Sequence, residues 1–158
     1  MLTRRHLLAG AATGLGALAA APAFAAGGTF KVNYSDAEWR KRLTPSQFAV
    51  LRQEATEPPG SSPLNNEHRK GVFLCAGCTT ALFDSKTKFE SGTGWPSFYQ
   101  PIGPQAVITS LDRSMGMIRT AVSCKTCGGH LGHMFPDGPK PTGLRYCMNG
   151  VAMTFRAT

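Results

Sequence analysis

Short runs of β-branched and aromatic residues, separated by glycine and proline, fill the chain from residue 71 to its end. Such runs predict strands, because these side chains suit an extended backbone, whereas Gly and Pro mark the turns between them. The six predicted strands are 72–74, 81–83, 106–109, 117–122, 144–149 and 151–155. The pattern therefore predicts a mainly β domain whose strands are mostly antiparallel.

The segment before these strands has a different pattern and predicts two short helices. Residues 35–38 (SDAE) and 44–47 (TPSQ) both have a hydroxyl residue three positions before Glu or Gln, which is typical of capping boxes at helix starts. We expect the first helix to run through Leu43. Residues 56–63 contain three prolines and a glycine, so they are expected to form a surface loop.

The N-terminal segment has the pattern of an export signal. Arg4 and Arg5 precede an apolar, alanine-rich run that reaches Ala26, and this order is typical of a twin-arginine signal peptide. We predict a signal over residues 1–26 and one folded domain over 27–158, exported to the periplasm and associated with the membrane only through that signal. A membrane anchor is the alternative.

Composition and charge narrow the class of protein. The chain is 42% hydrophobic and 16% charged and contains 18 Gly and 11 Pro, which favours a packed core with many turns over disorder or a coiled coil. The net charge of +8 comes from scattered Lys and Arg side chains. Aromatic residues do not interleave with them, so nucleic-acid binding is not expected.

Four of the five cysteines form two Cys-x-x-Cys hooks, Cys75 with Cys78 and Cys124 with Cys127. Two hooks can place four thiolates around one cation at about 2.3 Å in a tetrahedron, which suits Zn²⁺. A structural zinc ion would then join two distant hairpins. Two disulfides are the alternative, because an exported protein meets oxidising conditions. Either reading gives these four cysteines a structural role.

The fifth cysteine, Cys147, lies in a predicted strand with different neighbours. Alternation along a strand places Arg145, Cys147 and Asn149 on one face. A cation favours the reactive thiolate, and the Asn149 amide can donate a hydrogen bond to a substrate oxygen. An inert, buried cysteine is the alternative, but the odd thiol and its polar face favour a nucleophile.

Two histidines, His130 and His133, follow the second hook directly. We expect Gly132 to interrupt regular structure there, so that both rings turn toward one pocket and serve as acid or base. A hydrogen-bonded structural histidine is the alternative for each. Asp137 is expected either to form a turn or to orient one of the rings.

A glycine-rich bend at residues 91–98 carries Trp95. Two glycines and a proline are expected to expose this indole at a loop tip, where its flat apolar face suits an S-methyl group. Phe135 is a candidate for a second wall of the same pocket. Simple core filling is the alternative for Trp95.

Residues 92–98, 130–133 and 143–149, together with both hooks and residues 43–45, form long and ordered motifs. In this combination the chain resembles the B-type peptide methionine (R)-sulfoxide reductases from about Tyr34 to Phe155. The resemblance implies two antiparallel sheets with small N-terminal helices and a structural zinc ion. It also implies reduction of the R epimer of methionine sulfoxide in peptides or proteins, a reaction of protein repair under oxidative stress.

The resemblance implies roles by position: a nucleophile at Cys147, a tuning cation at Arg145, a methyl-binding ring at Trp95, and polar groups around the sulfoxide oxygen at His130, His133 and Asn149. The thiolate would attack the sulfoxide sulfur while a histidine helps to protonate the oxygen. Methionine would leave, and the nucleophile would remain as a sulfenic acid.

One position departs from the family pattern, because many members place a resolving cysteine where Thr93 stands here. We therefore expect an external thiol, such as a thioredoxin-like periplasmic protein, to reduce the sulfenic acid. Two other functions remain open. One is a non-enzymatic zinc-stapled β domain that binds a protein or peptide through Trp95 and Phe98, and the other is a thiol peroxidase-like or thiol-exchange enzyme.

Overall fold

The computed structural model describes residues 30–158, so the predicted signal at 1–26 lies outside the described residues. Within them the chain forms two helices and nine strands: α1 Asp36–Arg42, α2 Pro45–Gln53, β1 Gly71–Cys75, β2 Ala81–Asp84, β3 Lys88–Phe89, β4 Ser97–Phe98, β5 Val107–Asp112, β6 Arg119–Cys124, β7 His130–Phe135, β8 Arg145–Met148 and β9 Met153–Ala157. Neither helix is long and apolar enough to cross a bilayer.

The strands form two antiparallel sheets. The smaller sheet has the strand order β2-β1-β9, and the larger has the order β3-β4-β8-β7-β6-β5. The predicted architecture of two antiparallel sheets with small N-terminal helices is therefore confirmed. β8, which carries Cys147, lies inside the larger sheet between β4 and β7.

Both helices begin where their capping residues predict. The Ser35 hydroxyl accepts a hydrogen bond from the Glu38 backbone N–H, and Thr44 and Gln47 form a complete reciprocal capping box. The Glu38 carboxylate forms an ion pair with Lys41 at 3.0 Å. Capping satisfies backbone N–H groups that the first turn leaves without partners, which fixes two helices of only seven and nine residues.

The hydrophobic core lies between the two sheets and is rich in aromatic side chains. Phe98 of β4 stacks on Phe83 of β2 at 4.3 Å between ring centroids and meets Phe73 of β1 edge-on at 4.9 Å. Phe98 is 0% exposed. The expected recognition patch of Trp95 and Phe98 on the surface is therefore wrong, because this ring joins the sheets instead.

Several strand bounds differ from the predicted ones, and three strands, β3, β4 and β7, lie where none was predicted. Residues 150–152 form a 3₁₀ turn, and β9 begins only at Met153. The glycine-rich bend ends in the short strand β4, which pairs with both β3 and β8. In each case backbone pairing with a distant strand decides where the extended segment begins.

Gly132 does not interrupt regular structure, because β7 runs through it. A Cβ atom at this position would collide with the carbonyl oxygen of Cys147, so glycine permits the close approach of β7 and β8. The register of β6 against β7 shifts here, which leaves Leu131 as a bulge. A bulge shifts the alternation of side chains by one residue, and it brings the rings of His130 and His133 to 5.3 Å between centroids.

Candidate active site and metal centre

The four sulfurs of the two hooks converge on one point. All four Sγ atoms lie within 4.8 Å of one another, with Cys75 and Cys127 at 3.7 Å and Cys78 and Cys124 at 3.6 Å. A tetrahedral ion with metal–sulfur bonds of about 2.3 Å needs sulfur–sulfur edges of roughly 3.8 Å. The four cysteines therefore fit a single metal ion, and none of them is paired in a disulfide.

The two hooks have the same backbone geometry. The carbonyl of Cys75 accepts a hydrogen bond from the N–H of Thr79, and that of Cys124 accepts one from Gly128, both at 2.8 Å. Thr79 and Gly128 are both left-handed, with φ of 60° and 69°. A Cβ atom at position 128 would meet the ring of Phe30, which packs against this turn.

The position of the hooks explains what a metal ion would do here. The first hook begins at the end of β1 in the smaller sheet, and the second begins at the end of β6 in the larger sheet. An ion bound by all four thiolates would therefore crosslink the two sheets.

Cys147 lies apart from this cluster, in the middle of β8. Its strand partners are Ser97 of β4 and His133 of β7. The thiol is half-buried and opens into a cavity of about 120 Å³, lined by Thr56, Trp95, Arg119, Gly132, His133, Phe135, Cys147 and Asn149. This catalytic cavity brings together most of the predicted site residues.

Side chains along β8 alternate as the sequence predicts. Arg145 and Cys147 are half-buried on one face, whereas Tyr146 and Met148 are buried on the other. Asn149 follows the last residue of the strand and is only 3% exposed, yet it still lines the catalytic cavity.

Arg145 is held in a fixed position by Asp137. Its Nε and Nη2 donate to the two carboxylate oxygens at 2.9 and 2.8 Å, and its guanidinium lies 4.5 Å from the centre of the Phe135 ring. The bond to Asp137 raises the pKa of Arg145, and the proximity of Cys147 adds to this. Asp137 therefore positions an arginine and not a histidine ring.

His133 contacts a carboxylate that sequence reasoning missed. Asp112, at the end of β5, accepts hydrogen bonds from His133 Nε2 at 2.8 Å and from Arg119 Nη2 at 2.7 Å. Hydrogen bonds from Ser114, followed by the one from His133, hold the pKa of Asp112 well below its usual range. Because Nε2 faces Asp112, Nδ1 is the ring nitrogen left to serve a substrate.

His130 has a different environment from His133. It is 3% exposed, does not line the catalytic cavity, and its Nε2 has no hydrogen-bond partner among the described residues. Burial, and then the nearby His133, lower the pKa of His130 to about 4. His130 is therefore neutral at pH 7, and of the two predicted acids only His133 reaches the cavity.

Trp95 is half-buried at the wall of the catalytic cavity. The expectation that a loop tip exposes this indole is therefore wrong. Its indole N–H donates to the backbone carbonyl of Glu57 at 3.1 Å. This bond orients the ring, since a buried indole N–H needs an acceptor. Phe135 lines the same cavity, as predicted.

Asn149 connects the strands to the loop that carries Glu57. Its amide oxygen accepts from the Glu57 N–H at 2.9 Å, and its Nδ2 donates to the carbonyl of Leu131 at 3.0 Å. The Glu57 carboxylate accepts in turn from the N–H groups of Gly150 and Val151. Asn149 thus positions the loop around the cavity, and its contact with a substrate oxygen stays a prediction.

Thr93 lies beside Cys147, at the position where the family resemblance implies a second thiol in many members. Its Oγ1 lies 3.8 Å from the Sγ of Cys147. The other four cysteines of the chain all belong to the metal cluster. The geometry therefore gives Cys147 a hydroxyl neighbour and no free thiol partner.

Comparison with known proteins defines the class to which this fold and site belong. Residues 43–157 match the family described as the SelR domain, which covers both hooks, the catalytic cavity and all nine strands. The chain belongs to this family.

Its relatives share one name. It is 54% identical over 125 residues to "Peptide methionine sulfoxide reductase MsrB" of Agrobacterium fabrum, which covers 79% of this chain and 93% of that protein. Its identity to the protein of the same name from Bradyrhizobium diazoefficiens is 55% over 123 residues, or 78% and 88% of the two chains. The relative from Leptospira interrogans is 51% identical over 127 residues, or 80% and 97%. These matches confirm the resemblance found in the motifs.

Proposed function

We propose that this protein is an oxidoreductase that reduces methionine (R)-sulfoxide in peptides or proteins to methionine. The observation that carries the proposal is the catalytic cavity, in which one half-buried thiol lies between an oriented indole and a carboxylate-bound histidine. Its relatives bear the name of this activity.

Oxygen transfer to the thiol is the first step. The thiolate of Cys147 attacks the sulfoxide sulfur, the S–O bond breaks, and the oxygen is transferred to the cysteine while one proton is taken up. Methionine is the reduced product, and Cys147 becomes a sulfenic acid. Arg145 stabilises the thiolate by its charge, and His133 in its imidazolium form, with Nε2–H on Asp112, supplies the proton through Nδ1 and is left neutral.

The shape of the cavity supports selection of one epimer. Trp95 and Phe135 provide aromatic surface for the methyl group, whereas His133 and Arg119 are polar groups of the same cavity. A tetrahedral sulfoxide sulfur that presents its electrophilic face to Cys147, its methyl to the rings and its other carbon to the cavity mouth can direct oxygen to the polar groups in only one configuration. We assign that configuration to the R epimer because the motifs resemble the R-specific family.

An external thiol completes the cycle in this proposal. Two thiols of a thioredoxin-like reductant reduce the sulfenic acid, which yields the Cys147 thiol, a disulfide in the reductant and one water molecule. The proposal is supported by the hydroxyl of Thr93 beside Cys147. A zinc-site cysteine is a poor alternative, because its oxidation would cost the free energy that metal binding contributes to folding.

The four-sulfur cluster is proposed to bind Zn²⁺. Thiolate-only, tetrahedral coordination is typical of structural zinc, which would stabilise the fold and take no part in the redox step. We also propose export to the periplasm by a twin-arginine signal at residues 1–26, which rests on the sequence pattern alone. Exchange of Arg4 and Arg5 for Lys should abolish export in a cell-fractionation assay.

The decisive experiment is a reduction assay with purified R and S epimers of a methionine sulfoxide peptide and dithiothreitol as reductant. The wild-type protein should consume the R epimer, and the Cys147→Ser variant should not. Hydrogen peroxide, offered as a substrate in a parallel assay, should not be turned over comparably. Reduction of the S epimer, or of peroxide alone, would contradict the proposal.

A further inference from the structure

A second and larger cavity lies beside the catalytic cavity. It has a volume of about 630 Å³ and is formed by α2, the loop at residues 55–64 and the turn before β9. Its walls include the apolar side chains of Ala49, Val50, Leu64, Val151 and Met153. A volume of this size is within the range of pockets that hold small ligands, so it has room for an apolar side chain.

The two cavities share one wall. Thr56 lines both of them, so they are separated at that point by the width of a single residue. In an extended polypeptide, side chains on the same face are about 7 Å apart. One extended segment can therefore cross Thr56 and place one side chain in each cavity.

The shared wall is rigid because Glu57, the residue after Thr56, is anchored at every polar group. Its N–H donates to Asn149, its carbonyl accepts from Trp95, and its carboxylate accepts from two N–H groups of the turn before β9. The carboxylate oxygens are thus engaged by the backbone. The larger cavity keeps its shape in the free protein, and its walls are mainly hydrocarbon.

We propose that the larger cavity is a subsite for one apolar side chain that flanks the oxidised methionine in a polypeptide substrate. This inference rests on the proposed function and adds a sequence preference to it. The occupant belongs to the substrate because Thr56 makes the larger cavity continuous with the catalytic one. Burial of apolar surface supplies the affinity.

Peptides that contain a single methionine sulfoxide test the preference. Leu should be compared with Ser at each position from three residues before the sulfoxide to three residues after it. We expect Leu at one of these positions to raise kcat/KM about ten-fold, the usual effect of extra hydrocarbon in an apolar pocket. The gain should be in KM, because the subsite lies away from the reacting atoms.

Two variants that fill the larger cavity test whether this cavity causes the preference for Leu. Ala49→Phe adds a ring from the wall, and Ser46→Trp adds one from an exposed position at the rim, where it does not disturb the core. Ala37→Phe is the matched control, since Ala37 is an exposed helical alanine outside the cavity. Both filling variants should reduce the preference for Leu to less than about two-fold, whereas the control should retain it.

N-acetyl methionine sulfoxide methylamide separates this inference from the proposed function. It carries no flanking side chain, so wild type and filling variants should reduce it at similar rates. Absence of any preference in the wild type, or an unchanged preference in both filling variants, would overturn the subsite. Failure of the wild type to reduce any sulfoxide would instead refute the proposed function.

Discussion

The metal cluster and the catalytic cavity contain the same functional group in opposite settings. In the cluster, four thiols face one another at the ends of β1 and β6. In the cavity, one thiol in the middle of β8 shares the walls with Arg119, His133 and two aromatic rings, and Arg145 lies outside this lining. In the cluster, each sulfur has other sulfurs as its neighbours. Cys147 instead lies among groups that can bind or protonate a molecule in the cavity.

The difference shows that the role of a cysteine in this fold depends on how many thiols meet at one point and on which other groups surround them. Four thiolates around one point favour a cation, because a cation balances their charge. A lone thiol without a metal ion keeps its sulfur available to a bound molecule. The two sites should therefore respond in opposite ways to the same substitution.

The largest effect is expected from loss of one cluster thiol. Cys124→Ser should lose bound metal and cooperative folding, since structural zinc contributes an apparent 10–16 kcal/mol, roughly, in small zinc domains. Metal analysis together with a circular dichroism melt would measure both. Chelation of the metal in the wild type should have the same result.

The matched substitution in the cavity is Cys147→Ser. It should keep the metal and the melting temperature, yet lower the rate of sulfoxide reduction at least about a thousand-fold, because the nucleophile is gone. If Cys147→Ser lost metal, or if Cys124→Ser stayed folded and metal-free, the separation between the two sites would be false.

A smaller effect concerns His130, which lies between the two regions. The unfolded chain binds a proton at this residue below its ordinary pKa of about 6.5, whereas the folded chain binds it only near pH 4. Folding stability from His130 is therefore complete above pH 6.5 and is lost as the pH falls toward 4. The free energy of unfolding should drop by up to about 3 kcal/mol from this residue alone.

Urea unfolding at pH 7, 5.5 and 4.5 measures this loss. The His130→Gln variant should have a shallower pH dependence than the wild type, because Gln does not titrate. His68→Gln, at an exposed position, is the control and should follow the wild type. Parallel curves for all three proteins would mean that His130 contributes nothing to acid sensitivity.

Asp112→Asn tests the carboxylate that accepts the hydrogen bond of His133. The amide can still meet the ring nitrogen, but it no longer stabilises a positively charged imidazole. We expect kcat to fall about ten- to a hundred-fold, with KM and the melting temperature little changed and the pH–rate profile altered.

Glu67→Gln is a suitable control for Asp112→Asn. Glu67 forms a carboxylate–arginine pair with Arg69 at 2.6 Å, but this pair lies away from the cavity. It contacts neither His133 nor Cys147, so activity should not change. An unchanged kcat in Asp112→Asn would show that His133 needs no carboxylate partner.

The smallest effect on catalysis is expected from Thr93→Cys. The new thiol would stand close to Cys147, given the present 3.8 Å contact, so one turnover should end in an intramolecular disulfide and one water molecule. The rate of sulfoxide reduction should stay within about three-fold of the wild type, while the preferred reductant changes. Mass spectrometry after a single turnover would detect the disulfide, which the wild type should not form.

Local sequence patterns predicted the metal cluster, the helix starts and the face of β8 correctly. The two hooks need only four residues each to define their turn, and Thr44 caps its helix through a residue three positions away. Alternation along β8 follows from strand geometry alone. The turn of each hook, the helix starts and the face of β8 are set by neighbours in the chain, whereas the meeting of the two hooks is a tertiary contact.

The residues that sequence reasoning missed depend on strand register and on loop packing. Asp112 and Arg119 meet because they are partners in the β5–β6 register, and no motif marks either of them. Glu57 reaches the cavity because its loop packs against the turn before β9. For Glu57, the sequence predicted only that its segment is a loop, because of the prolines. It did not predict which residues that loop contacts.

The sequence by itself determined which atoms are available: four thiols in two hooks, one separate thiol, two histidines and an indole. It also indicated six of the nine strands and the starts of both helices, because backbone preference and capping act over a few residues. Only the tertiary structure decided that His133 and not His130 reaches Cys147, that Asp112 holds it, and that a second cavity adjoins the first. Those outcomes depend on a bulge, a strand register and a packed loop, which arise from contacts between residues far apart in the chain.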